Sequence, residues 1–155
     1  MNLLAPLLPT SHVLLDIPAQ DKRALFEQVA DLLQPKTGIK RGVILDSLLA
    51  RERMGSTGLG RGIAIPHGRV RGLREAVGCF VRVLTPIPFD SPDETPVHLV
   101  FVLLVPEKST DLHLEILSEL AQMFSDRSMR EALAAAPDAT AAQRLIAGWH
   151  TNASF

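Results

Sequence analysis

Between Pro96 and Pro106 the chain reads PVHLVFVLLVP, a run that is apolar on both of the faces a β-strand presents. A strand covered on one side alternates apolar with polar residues, so a run without that alternation points to a central strand with helices on both sides. The neighbouring segments supply them. DKRALFEQVADLLQ opens on Asp21 as a cap and sets Leu25, Val29, Leu32 and Leu33 on one helical stripe, which is expected to stop before Pro35. RGVILDSLLARERMG turns Ile44, Leu45, Leu48 and Leu49 inward and ends at Gly55, a residue suited to a left-handed C-cap. GIAIP and AVGCFVRVLTPI read as strands, and from Ser109 onward STDLHLEILSELAQMFSD, SMREALAAA and DATAAQRLIAGW return to the helical period. The expected fold class is α/β: a single layered domain, residues 1–155, with a mixed central β-sheet flanked by helices on both faces. About 1–9 and 151–155 are expected to be loosely held tails.

At 155 residues, 46% hydrophobic and 21% charged, the chain has the balance of one folded domain and needs no covalent staples. Cys79 is the single cysteine, so no internal disulfide or cysteine zinc site is available, in keeping with a reducing cytoplasm. The start, MNLLAPLLPTSHVLLD, is apolar but lacks a basic flank, carries two prolines and meets Asp16 early; it reads as neither a signal peptide nor a membrane helix. A formal net charge of -1 gives no electrostatic footprint for nucleic acid, and proteins or a small anion are the expected partners.

The stretch GSTGLGRG, Gly55 to Gly62, holds four glycines in eight residues. It is not a P-loop: Gly55 and Gly60 have the right separation, but Arg61 and Gly62 stand where lysine and a hydroxyl residue are needed. It also fails as a dinucleotide fingerprint, because it follows a helix and leads into a strand. Two readings stay open for it, a surface turn or a backbone cradle for an anion with Ser56, Thr57 and Gly58 as donors.

His67 follows a short apolar strand and sits between Pro66 and Gly68, a setting able to aim an imidazole. A neutral imidazole near pH 7 is a nucleophile if its other nitrogen is held as the N–H donor. His12, His98 and His150 carry no such signal and read as structural. His113 shares a helical face with Ile116, Leu117, Leu120 and Phe124, so it points inward, either as a core histidine or at the anion-favouring first turn of its helix. Arg51, one turn before Gly55, is either a solvated helix-end arginine, as Arg53 is read to be, or a bidentate phosphate ligand.

RERMGSTGLGRGIAIPHGRV, residues 51–70, closely resembles the signature of the mannitol/fructose-type enzyme IIA domains of the bacterial phosphoenolpyruvate-dependent sugar phosphotransferase system. MGSTG followed by GIAIPHG is most similar to the nitrogen-regulatory branch, and the likeness extends through LLVPEKSTDLHLEILSELA. The resemblance implies the mixed-sheet fold already inferred and a cytoplasmic phosphoryl carrier that needs no metal or cofactor. It implies that His67 takes the phosphoryl group from an HPr-like phosphocarrier charged by an enzyme I. Arg51 and His113 stand at the positions of the family's active-site arginine and second histidine. Arg69 falls where related chains carry a basic residue, so Arg69, Arg71 and Arg74 are read either as a docking surface or as ordinary solvated charge. Three functions follow from this. The first is regulation of proteins such as sensor kinases or potassium transport proteins by phosphorylation state. The others are delivery of phosphate to a sugar-specific IIB domain, or binding alone without transfer.

Overall fold

The structure is a computed structural model that describes residues 2–108 and 111–150. The expected tail at 151–155 lies outside the described residues. In chain order the elements are β1 (Val13–Ile17), α1 (Lys22–Thr37), α2 (Arg41–Arg53), β2 (Gly58–Gly60), β3 (Ile63–Ala64) and β4 (His67–Val70). They continue with β5 (Val77–Ile87), β6 (Val97–Pro106), α3 (Asp111–Ser125), α4 (Arg127–Ala135) and α5 (Ala139–Gly148).

The strands form one mixed sheet in the order β1-β5-β6-β3-β2, with β4 also paired to β6. β5 and β6 are antiparallel, while β3 and β4 run parallel to β6 one after the other along its far side. The strand apolar on both faces is thus central, and its side chains divide by parity. Leu99, Phe101, Leu103 and Val105 join a core with Ile116, Leu120, Met123 and Phe124 of α3 and with residues of α4 and α5. Val100, Val102 and Leu104 join the opposite core, with Leu25, Phe26, Val29 and Leu33 of α1 and Ile44, Leu45 and Leu48 of α2. The period of two along the strand sends alternate residues to opposite layers, and both layers are helical.

Local expectations hold at several helix ends and fail at others for identifiable reasons. Asp21 caps α1 by accepting from the Ala24 amide at 2.8 Å. The helix continues through Pro35, however, and stops at Gly38, whose φ of 76° lets its amide close onto the Gln34 carbonyl at 2.9 Å. Pro35 lacks the N–H that would bond the carbonyl one turn back, and its ring crowds that carbonyl, a cost the helix carries near its end. At α2 the cap is Met54 rather than Gly55, and Leu49 is half-buried.

The glycine stretch is a hairpin. β2 and β3 are antiparallel, and Arg61 and Gly62 between them have φ of 57° and 81°. Positive φ at both central residues is the requirement of the tight turn whose twist matches its strands. The hairpin tip is held by Asp93, whose carboxylate accepts from the amides of Arg61 and Thr95 at 2.8 and 3.0 Å.

The N-terminal residues differ from the loose tail expected of 1–9. Leu4 and Leu8 are fully buried and Leu7 nearly so, all three in the core with α5. Asn2 donates its side-chain amide to the carbonyls of Ile146 and Trp149 at 2.8 and 2.7 Å, the first of which also takes the Trp149 amide that closes the end of α5. β1, which the sequence reading did not anticipate, is kinked at Asp16, where φ is 56°. Arg82 bridges this carboxylate at 2.8 and 2.9 Å and reaches the carbonyls of Leu133, Ala134 and Ala136, tying the β1 edge to the end of α4. If Leu4 is core, Leu4→Ala will lower the unfolding free energy by about 2–4 kcal/mol in urea denaturation. A loosely held tail would leave the transition unmoved.

Candidate functional site

The site begins where α2 crosses β4. A Cβ on Gly68 would lie 2.3 Å from Ser47 Oγ and 3.3 Å from the Ser47 backbone carbon and oxygen, so only glycine admits the helix this closely. Ser47 Oγ donates to the Arg69 carbonyl at 2.9 Å and fastens the crossing. Arg51 is one helical turn beyond Ser47 on the same face, and His67 directly precedes Gly68. The crossing therefore delivers Arg51 to His67: its Nε donates to His67 Nε2 at 3.3 Å, and its Nη1 is held by the Gly55 carbonyl at 2.8 Å.

His67 opens β4 with a half-buried imidazole. Its Nδ1 lies 2.9 Å from the Ile65 carbonyl, an acceptor only, so Nδ1 carries the proton and Nε2 is bare. The Arg51 contact demands the same tautomer, since Nε2 must accept there. Burial pushes the His67 pKa below the ordinary histidine value and the Arg51 cation pushes it further, against the raising effects of the Ile65 carbonyl and Glu52. The resting state is a neutral imidazole with its lone pair turned toward a guanidinium.

His113 completes the group. It lies in the first turn of α3, is buried, and its ring centroid is 5.8 Å from that of His67. Neither of its ring nitrogens has a hydrogen-bond partner among the described residues. A buried polar atom left without a partner costs about 1–3 kcal/mol. Its pKa is lowered by burial and by the neighbouring His67 and Arg69. His12, by contrast, bonds the Gly78 carbonyl through Nδ1 at 2.9 Å.

The other sequence candidates are placed differently. Ser56, Thr57 and Gly58, read either as a surface turn or as donors to an anion, have hydrogen-bonding groups that the fold employs internally. Ser56 Oγ donates to the Phe89 carbonyl and accepts from the Gly58 amide, and Thr57 gives both its amide and its hydroxyl to Glu52. Gly58 is glycine because a Cβ there would meet Ser91 Oγ at 2.3 Å. Of the basic cluster, Arg69 is exposed on β4 and donates to the Glu107 carbonyl, Arg71 pairs with the Glu107 carboxylate at 3.6 Å, and Arg74 lies exposed in the loop before β5. Glu52 was missed. Nothing periodic marks a carboxylate whose partners lie on a loop and on another helix.

A family model described as the phosphoenolpyruvate-dependent sugar phosphotransferase system, EIIA 2, matches residues 6–148. The chain belongs to this family. Among curated relatives of the EIIA domain is the nitrogen regulatory protein of Pseudomonas aeruginosa, 38% identical over 144 residues that cover 92% of this chain and 94% of the relative. Its counterpart in Escherichia coli is 41% identical over 121 residues, covering 77% and 74%. Among solved structures, the nitrogen regulatory protein IIA-Ntr of Neisseria meningitidis superposes with a TM-score of 0.90 at 44% identity, covering 94% of this chain and 99% of that one. Escherichia coli IIA mannitol, at 20% identity and a TM-score of 0.75, shares the fold.

The electrostatics of the EIIA domain give a direct expectation. In an NMR titration His67 will titrate below the ordinary value of about 6.5, and Arg51→Gln will move its midpoint upward because a lowering charge is gone. Because the folded value lies below the unfolded one, the stability linked to His67 is complete above pH ~6.5 and is lost as pH falls from there through the folded value. An unmoved midpoint in Arg51→Gln would show that the guanidinium does not act on this imidazole.

Proposed function

We propose that this EIIA domain is a phosphoryl carrier of the nitrogen-type phosphotransferase system, accepting its phosphoryl group on His67 Nε2 from an HPr-like phosphocarrier. The observation that carries the reading is the lone pair of Nε2: freed by the Ile65 carbonyl on the other nitrogen, kept unprotonated by burial, and faced by Arg51.

The chemistry follows from these atoms. The Nε2 lone pair forms the new N–P bond in line as the bond from phosphorus to the donor breaks, and that electron pair leaves with the donor. The ring keeps its Nδ1 proton, and the Ile65 carbonyl offsets the positive charge the ring acquires. Arg51 turns from a donor to Nε2 into a donor to the phosphoryl oxygens, where charge builds in the transition state. His113, whose two ring nitrogens have no partner among the described residues, lies beside the His67 ring and supplies a further donor to the same group. No covalent work beyond this is required of the protein; positioning and charge carry the step.

Phosphorylation adds nearly two negative charges and strong acceptors to a half-buried surface site, which changes which proteins bind there. Control of partner proteins by phosphorylation state is therefore the proposed output, and the names of the relatives, nitrogen regulatory proteins, support it over delivery to a sugar-specific IIB domain.

With phosphoenolpyruvate, enzyme I and an HPr-like carrier, the domain is expected to gain one acid-labile, alkali-stable phosphoryl group that His67→Ala abolishes. Arg51→Ala will slow transfer by roughly 30- to 1000-fold, the rate equivalent of about 2–4 kcal/mol of transition-state stabilisation. The exposed Arg53→Ala serves as its control. Label persisting in His67→Ala, or equal rates for the two arginine variants, would overturn these roles.

His113→Gln separates two roles for that residue. Glutamine keeps a neutral donor near the ring, so the variant will fold with little change in Tm yet transfer more slowly or hold a shorter-lived phosphohistidine. A normal rate and lifetime with a markedly lower Tm would assign His113 to packing instead.

A further inference from the structure

Four hydrogen bonds connect a buried carboxylate to the proton of His67. Glu52 directly follows Arg51 at the end of α2, and its side chain is 7% exposed. One carboxylate oxygen accepts the Thr57 amide at 3.0 Å and the other accepts the Thr57 hydroxyl at 2.5 Å. The Thr57 carbonyl accepts the Ile65 amide at 3.0 Å. The Ile65 carbonyl, in turn, accepts the Nδ1 proton of His67 at 2.9 Å. Lys22 Nζ, 3.0 Å from Glu52, balances its charge from the start of α1.

We propose that Glu52 is a positioning residue for His67, holding Thr57, and through it the Ile65 carbonyl, where that carbonyl selects the tautomer with Nε2 bare. The inference rests on the reading of His67 as phosphoryl acceptor. Its physical basis is the need for a carbonyl held to within a fraction of an ångström. Ile65 and Pro66 lie between β3 and β4, outside regular pairing, and are anchored on two sides: the Ile65 amide to Thr57, and the Pro66 carbonyl to the Leu103 amide of β6 at 2.9 Å. The sheet secures the second anchor. The first is only as firm as Thr57, which sits in the connection leaving α2 and is gripped at both its amide and its hydroxyl by a single carboxylate. If Thr57 drifts, the Ile65 carbonyl turns, Nδ1 loses its acceptor, and the proton can move to Nε2, where it blocks the lone pair and opposes the Arg51 donor.

Two consecutive residues of one helix thus address the two nitrogens of one ring. Arg51 meets Nε2 directly, and Glu52 governs Nδ1 through the loop. Glutamine at 52 has one acceptor oxygen and cannot receive both Thr57 donors while facing Lys22. Valine at 57 removes the hydroxyl and keeps the shape and the amide, while serine at 57 keeps both donors.

The test reads the tautomer itself, by ¹⁵N NMR of the His67 ring above its titration, in the full chain with no phosphoryl donor present. The parent protein is expected to show one protonated-type and one bare nitrogen. Glu52→Gln and Thr57→Val are expected to move both nitrogens toward averaged values and to slow transfer by roughly 10- to 100-fold, with Thr57→Ser restoring the separated pair. If Glu52→Gln fails to fold, the Thr57 pair decides, since neither of its changes removes a buried charge partner. A parent-like tautomer in Thr57→Val would overturn the positioning role. A tautomer fixed through Glu52 on a His67 that takes no phosphoryl group would instead sink the proposed acceptor and leave the positioning role standing.

Discussion

Gly68 and Ser47 meet at a separation that leaves no room for a methyl group, and this contact sets how closely α2 lies on β4. The distance matters because the two chemically useful side chains are carried by different elements and are 16 residues apart in sequence. A larger residue at 68 would displace Ser47, break its bond to the Arg69 carbonyl, and lift Arg51 from Nε2. Since packed interiors transmit such shifts rather than absorbing them, a cost paid in packing would reappear as a cost in chemistry.

The close approach is possible because the sheet gives α2 a firm floor. β6 is buried along nearly all its length, with α1 and α2 on one side and α3, α4 and α5 on the other. β4 is bonded to β6 from Leu103 to Pro106, and α3 begins at Asp111, shortly after β6 ends. His67 and His113 are thus brought together by one strand: the first on its neighbour, the second on the helix that succeeds it. The 5.8 Å between the rings is a product of strand pairing and of a short connection, not of any direct bond between them.

The charges around His67 act in one direction on its protonation and in another on its product. Burial and Arg51 hold the ring neutral, which favours attack. In the proposed transfer the same arginine would then face an anion. A residue that opposes one positive charge and welcomes two negative ones is suited to a carrier, which must bind the group without holding it permanently. In the same transfer His113, whose ring nitrogens have no partner among the described residues, would gain one, and the desolvation cost they carry would be recovered.

The residues alone were enough for the layered fold, because a strand apolar on both faces and helices of 3.6-residue period are local patterns with one economical assembly. They also singled out His67, through its Pro-His-Gly setting, and turned His113 inward. They could not choose between readings of Arg51 or of the loop at Ser56 and Thr57, and they misplaced the N-terminal leucines, for a common reason. A hydroxyl, an amide or a leucine carries no sign of which distant group will engage it: Thr57 is taken up by Glu52, Ser56 by Phe89, and Leu4 by the core against α5. Tertiary structure decided these commitments, and with them the tautomer of His67, because a proton settles on one ring nitrogen only when a carbonyl from elsewhere in the chain is held against it.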